Sequence, residues 1–132
     1  MFVIWVKFKT PFYPPPAKVP SVLFREKEAY CLWLPIHRNF PKIERFGLGQ
    51  KIEQSFLDVL ELTSTSAYLA GEQKILMLSQ TIAKLDNLKF FIQLAWESKL
   101  IPTDKYAGLS KELEEIGRML GGWRKGLQQK TT

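Results

Sequence analysis

The sequence contains one histidine and one cysteine, which is too few for a zinc site and poor support for a Cys-His nucleophile pair. Cys31 cannot form an internal disulfide, as is typical of a protein of the reducing cytoplasm. A structural zinc site needs four ligands, mainly cysteine and histidine, and the Glu-x-x-His pair of di-iron bundles does not occur. We interpret His37 as a packed or capping side chain. We therefore expect no catalytic residue, no metal and no cofactor.

Long apolar runs are also missing. The run from Phe2 to Val6 is soon followed by Lys7 and Lys9, and it is far shorter than the ~20 residues of a membrane-spanning helix. It also lacks the small-residue cleavage site of a signal peptide. The sequence therefore predicts a soluble cytoplasmic protein with no membrane association.

The prolines are concentrated at the start of the chain. Residues 1–20 hold five of the eight prolines, and proline is excluded from helix interiors and central strands. The run Pro14–Pro16 favours polyproline II or irregular structure. We predict a Pro-rich N-terminal arm over residues 1–20, one helical domain over residues 21–128 and a short tail over residues 129–132.

Apolar residues recur at helical spacing in four segments after residue 20, and no alternating strand pattern occurs there. The first predicted helix begins at Ser21, the second runs from about Glu44 to Ala70, the third from about Glu72 to Leu100, and the fourth starts near Thr103. The connections between them are short. The fold class predicted is all-α, an antiparallel up-down-up-down four-helix bundle.

Several glycines lie within or beside the predicted helices, where glycine is unfavourable. We expect Gly47 and Gly49 to relieve crowding where the first and second helices meet. The pair Gly121-Gly122 suggests that Trp33 or another subunit approaches the backbone closely at that point.

The third predicted helix is apolar around nearly its whole circumference apart from one narrow polar stripe. A helix in an isolated bundle needs an apolar face of only ~100° or slightly more. The additional apolar surface indicates either a neighbouring subunit or coverage by the first helix and the arm. We favour an oligomer interface formed by Phe90, Phe91 and Leu94. Lys89, on the polar stripe, is expected to pair with Asp86 or to lie at a subunit boundary.

The formal net charge of +6 and the isoelectric point near 9.5 favour polyanionic partners. Two groups of basic residues are candidates for nucleic-acid binding. The first basic cluster, at the start of the second predicted helix, comprises Lys42, Arg45 and Lys51. The free N–H groups of a helix start would add donors for phosphate there. The alternative is a solvated surface without a ligand.

The second basic cluster lies on the fourth predicted helix and comprises Lys111, Arg118, Arg124 and Lys125. Lys111, Arg118 and Lys125 are seven residues apart, so they follow one face of the helix, opposite its core stripe. Arg124 falls near the core stripe and is the candidate that a neighbouring subunit could instead contact. Here too a solvated face is the alternative, because Glu114 has the helical spacing to pair with Lys111 and Arg118.

Three sequence segments, in order along the chain, carry a family resemblance. They are FPKIERFGLGQKIE at residues 40–53, KLDNLKFF with LAWE at residues 84–97, and EIGRMLGGW at residues 115–123. Together they resemble the accessory variability determinant (Avd) of diversity-generating retroelements. The resemblance extends over about residues 22–127 and leaves the Pro-rich arm outside.

The resemblance implies a four-helix protein that assembles into a homopentamer with a basic surface. It also implies association with the reverse transcriptase of the retroelement and binding of template-repeat RNA, with DNA as a second candidate ligand. The alternative is the related group of four-helix proteins encoded in intervening sequences of bacterial ribosomal RNA genes, which have no established reverse-transcriptase partner. A ligand-binding or enzymatic bundle would need convergent polar groups in the core, which the apolar stripes do not show.

Overall fold

The computed structural model of the chain describes residues 20–131. Within that range the chain forms five helices and no β-strand: α1 (Ser21–Arg38), α2 (Lys42–Phe46), α3 (Leu48–Ser66), α4 (Gly71–Glu97) and α5 (Thr103–Thr131). The predicted arm, apart from Pro20, lies outside the described residues. The domain boundaries therefore stay predictions. The prediction that the domain is all-helical is confirmed for the described residues.

The four long helices pack into a bundle around one apolar core. α3 packs against α4, α4 against α5, and α1 against both α5 and α3. Each long helix contributes fully buried side chains, among them Trp33, Ile52, Leu88 and Leu113. The apolar residues at helical spacing thus lie inside the bundle, where their burial supplies the main driving force for folding.

The second predicted helix is two helices in the structure. At Gly47 the backbone leaves the helical region (φ −101°, ψ −104°), which separates α2 from α3. A Cβ atom on Gly49 would lie 2.6 Å from His37 Nε2 and 3.1 Å from the carbonyl oxygen of Glu44. The expectation that glycine relieves crowding here is confirmed for Gly49. α3 also ends earlier than predicted, at Ser66 rather than Ala70.

The two turns beside α4 use left-handed backbone conformations. Gly71 begins α4 with φ +60°, and Lys99 follows its end with φ +64°. After Lys99, the N–H of Leu100 donates to the carbonyl of Ala95 at 2.8 Å and closes the helix terminus. These two turns account for the short connections on either side of α4.

One carboxyl group is buried inside this bundle. Glu26 is only 2% exposed, and its Oε2 accepts a hydrogen bond from Thr63 Oγ1 at 2.7 Å. Its Oε1 has no hydrogen-bond partner within the described chain, and Phe56, Val59 and Leu85 line the same small space. Burial raises the pKa of Glu26 from 4.5 to about 8, against the smaller opposing effect of the Thr63 hydrogen bond.

This burial makes stability depend on pH. Because the pKa is higher in the folded chain, the folded state binds the additional proton between pH 4.5 and about 8. The free energy of unfolding should fall as pH rises through that window, by up to about 1.4 kcal/mol per pH unit, and then level off. Glu26→Gln keeps an acceptor for Thr63 and cannot ionise, so its stability should lack this decline and exceed that of the unsubstituted chain near pH 8.

Urea denaturation near pH 4.5 and near pH 8, at equal protein concentration, measures this difference. Glu28→Gln, an exposed substitution on the same helix, is the control and should keep the decline. If the Glu26→Gln chain lost as much stability between the two pH values as the unsubstituted chain does, the titration could not be assigned to Glu26.

Candidate nucleic-acid interface

The carboxylate of Glu53 on α3 binds three side chains of α1. The Tyr30 hydroxyl donates to its Oε2, and Trp33 Nε1 donates to its Oε1 at 2.9 Å. His37 Nδ1 lies 3.5 Å from the same Oε1. The hydrogen bond to this carboxylate is the main reason that the pKa of Tyr30 is raised to about 12. These contacts fix the last turns of α1 against the first turns of α3.

The same end of α1 also holds α2 in place. His37 Nε2 lies 3.3 Å from the carbonyl oxygen of Arg45. Phe40, just before α2, is buried and meets the rings of Trp33 and His37 edge-on. α2 is thus held at three points: at Phe40 before its first residue, at Arg45 within it and at Gly49 beyond its end.

The first basic cluster lies on and beside this short helix. Lys42, Arg45 and Lys51 are all exposed. Lys42 and Arg45 form no ion pair with any described residue, whereas Lys51 Nζ lies 5.6 Å above the ring of Phe91, a cation–π contact. α2 has only five residues, so the helix-start effect invoked from the sequence rests on little more than one turn of backbone dipoles. The side-chain charges carry the argument at this site.

The residues of the second basic cluster do not form one uniform row of free cations, because two of them bind other side chains of the chain. Lys111, Arg118 and Lys125 are exposed on α5, each about 10 Å from the next along the helix axis. Arg118 Nη2 lies 2.8 Å from Glu115 Oε1, and this pairing lowers the pKa of Glu115. Arg124 is half-buried, and its Nη1 donates to Ser79 Oγ at 3.2 Å, which links α5 to α4.

The structure corrects the expected partner of Lys89. Lys89 Nζ lies 3.2 Å from Glu114 Oε1 on α5, so it joins two helices instead of pairing with Asp86 on its own helix. A Cβ atom on Gly117 would lie 3.1 Å from that Nζ. Gly117 therefore leaves the space through which the lysine reaches α5.

Trp33 does not approach the glycine pair of α5, which corrects one of the two alternatives expected there. Apart from the adjacent residues and the backbone of α5 itself, no heavy atom of the described chain lies within 4 Å of where a Cβ atom of Gly121 or Gly122 would stand. Trp33, one of the two predicted neighbours, is fully buried and stacks with Phe56 at a centroid distance of 6.0 Å. Within the described chain, crowding does not require glycine at these two positions, and a contact there with another subunit stays a prediction.

The three predicted interface residues on α4 differ in their exposure to solvent. Phe90 is 59% exposed and Leu94 is 38% exposed, and Leu76 on the same helix is 62% exposed. Phe91 is half-buried beneath Lys51. The additional apolar surface inferred from the sequence is thus present at Leu76, Phe90 and Leu94.

Sequence reasoning missed two residues beside the first basic cluster. Ile43 and Phe46 on α2 are 83% and 72% exposed, the highest values among the large apolar side chains of the described residues. Their position in the sequence could have indicated this exposure. Both residues precede the helical repeat of Leu48 and Ile52, and both lie among cations rather than among core residues.

The described residues contain no group of three or more His, Cys, Asp and Glu side chains that could hold a metal ion. None of the helices between residues 20 and 131 has the length and apolar character needed to span a bilayer.

The fold and its exposed cations define a basic helical-bundle protein. Residues 25–127, most of the chain, match the sequence model of the family described as bAvd-like. The chain belongs to the bAvd-like family. All three segments that resemble Avd lie inside the match, which confirms the resemblance. The comparison with curated proteins gave no match for the chain.

The Glu53 contacts generate a stability prediction. Glu53→Ala leaves the buried indole N–H of Trp33 without its acceptor, and an unsatisfied buried donor costs about 1–3 kcal/mol of unfolding free energy. Glu61→Ala, an exposed substitution on the same helix, is the control and should change stability by less than about 0.5 kcal/mol. Urea denaturation measures both. Equal stabilities for the two variants would show that the Glu53 contacts contribute nothing.

Proposed function

We propose that the chain is the non-catalytic accessory subunit of a diversity-generating retroelement. In this role it binds the reverse transcriptase and the template-repeat RNA and supports mutagenic cDNA synthesis in the cytoplasm. The observation that carries the proposal is the match of residues 25–127 to the bAvd-like family, because Avd-like proteins are accessory proteins that associate with a retroelement reverse transcriptase. Catalysis would belong to the transferase.

Nucleic-acid binding is supported by the distribution of unpaired charge. Lys42, Arg45, Lys111 and Lys125 are exposed and form no ion pair with any described residue, and the chain carries a net charge of +6. Lysine and arginine contacts to phosphate supply most sequence-independent affinity. Arg118 and Arg124 would contribute once released from Glu115 and Ser79.

We further infer an up-down-up-down order of the four long helices. It is supported by contacts whose positions run in opposite directions along neighbouring helices. Asp58 of α3 pairs with Lys84 of α4 at 3.4 Å, and Lys51 near the start of α3 lies over Phe91 near the end of α4. The link from Ser79 of α4 to Arg124 of α5 fits the same order.

The proposed assembly is a homopentamer. Its support is the exposure of three apolar side chains of α4, Leu76, Phe90 and Leu94, since exposed apolar surface often marks contacts between subunits. Phe91 would contribute at the edge of this surface. Five copies would also multiply each basic cluster, so that a modest weakening at one site would become a large one in the assembly.

Charge removal tests the RNA-binding part of the proposal. Lys42→Gln with Arg45→Gln and Lys51→Gln should weaken RNA binding and make it less sensitive to salt. The log–log salt slope should fall by about 0.7 for each single-strand phosphate that the variant no longer neutralises. Removing Lys111, Arg118 and Lys125 tests the second cluster separately. A chain with Lys27, Lys99 and Lys105 changed to Gln loses the same charge at exposed positions outside both clusters and is the control.

Unchanged affinity and salt slope in both cluster variants would show that these surfaces are merely solvated. The same variants are then assayed for cDNA synthesis with the reverse transcriptase and template-repeat RNA of the retroelement. The unsubstituted chain should be required for synthesis. RNA binding without any effect on cDNA synthesis would instead favour a protein of the ribosomal RNA intervening-sequence type.

The oligomer is tested on α4. Phe90→Glu places a charge in the exposed apolar surface and should dissociate the assembly, as measured by native mass spectrometry, while circular dichroism shows unchanged helicity. Phe24→Glu is the matched control, because Phe24 is 66% exposed on α1. A monomeric unsubstituted chain at micromolar concentration, or an intact assembly in the Phe90→Glu chain, would reject this interface.

A further inference from the structure

We propose that Phe46 is a stacking platform for an unpaired base, and that the first basic cluster therefore binds single-stranded nucleic acid in preference to a duplex. The inference rests on the RNA-binding part of the proposed function and deepens it, because it names the class of nucleic acid that this surface recognises. The surface consists of α2 and the exposed side chains that flank it.

The side chains of α2 place an aromatic ring between cations. Phe46 is 72% exposed, and Lys42 and Arg45 are exposed beside it. Residues three and four apart are neighbours on a helix surface, so Lys42 is adjacent to both Arg45 and Phe46. A base on the ring would thus have two cations within reach of its flanking phosphates. Arg38, also exposed, ends the preceding helix.

The backbone that carries this ring is fixed before any ligand arrives. Phe40 is buried beside Trp33 on one side of α2, and the carbonyl oxygen of Arg45, the residue before Phe46, lies 3.3 Å from His37 Nε2. On the other side, Gly49 is packed against His37. Because the platform is already positioned, binding does not have to order this segment, which lowers the entropic cost of association.

The positive charge around Phe46 favours single-stranded nucleic acid over other partners for this surface. The one acid of α2, Glu44, is half-buried, whereas Arg38, Lys42 and Arg45 form no ion pair with described residues. A two-fold contact between two copies of this surface would bring these cations against identical ones. A polyanion neutralises them, and an unpaired base offers the ring a flat face that a duplex keeps inside its own stack.

The experiment compares fluorescence anisotropy of a labelled single-stranded oligoadenylate with that of an RNA duplex of equal length. Phe46→Ala should weaken binding of the single strand by about 5-fold to 150-fold, the range for removal of one stacked base. Duplex affinity and both salt slopes should not change, because every cation that meets phosphate is retained. Phe46→Trp should retain single-strand binding, and Phe46→Leu, which is apolar but has no ring, should not.

Phe24→Ala is the matched control and should change neither affinity, since Phe24 is an exposed phenylalanine on α1, outside this surface. Equal effects of Phe46→Ala on both probes, no effect on either, or full binding by Phe46→Leu would overturn the stacking proposal. So would a change in oligomer mass caused by Phe46→Ala, since the surface would then be a contact between copies.

The failure of stacking can be separated from the failure of RNA binding itself. Lys42→Gln with Arg45→Gln should lower affinity for both probes and reduce both salt slopes. If that variant behaves so while Phe46→Ala has no effect, RNA binding stands and stacking is rejected. If neither variant changes binding, nucleic-acid recognition at this surface is rejected altogether.

Discussion

The position of the exposed basic segment depends on the carboxylate of Glu53. The indole of Trp33 can be fully buried because its N–H donates to this carboxylate at 2.9 Å, since a buried donor without a partner is costly. The same oxygen lies near His37, whose other ring nitrogen faces the backbone of Arg45. One polar group thus joins three elements, α1, α2 and α3, and sets where the cations of α2 meet solvent.

Whether a surface cation is available to bind phosphate depends on whether it pairs with an acid, as well as on its position in the sequence. Arg25 of α1, Lys89 of α4 and Arg118 of α5 each pair with a carboxylate. Around α2, by contrast, the cations have no carboxylate partner among the described residues. An exposed ion pair contributes little to stability, but it offsets the field that would attract phosphate. The net charge alone therefore overstates the second basic cluster relative to the first.

The helices could be predicted because burial repeats with the helical period, and Ile52, Phe56 and Val59 show this repeat in one element. The break at Gly47 could not, because the same apolar spacing is compatible with a continuous helix until the packing of Gly49 against His37 is known. Likewise, the Lys89 partner depends on the register between α4 and α5, which the order of residues along one chain does not contain. The basic residues of the site were predictable by type, but the exposure of Phe46 was not, since phenylalanine usually indicates the core.

The glycines of α5 determine how this helix forms during folding. Of its five glycines, only Gly117 has a close neighbour among the described residues, and Gly108, Gly121, Gly122 and Gly126 face open space. Each costs about 1 kcal/mol of helix propensity relative to alanine, with no crowding within the described chain to require it. Since isolated helices are marginal even without such penalties, α5 acquires its order from the packing of Leu109, Leu113 and Leu120. It is a helix induced by its neighbours, so its formation is inseparable from cooperative folding of the whole bundle.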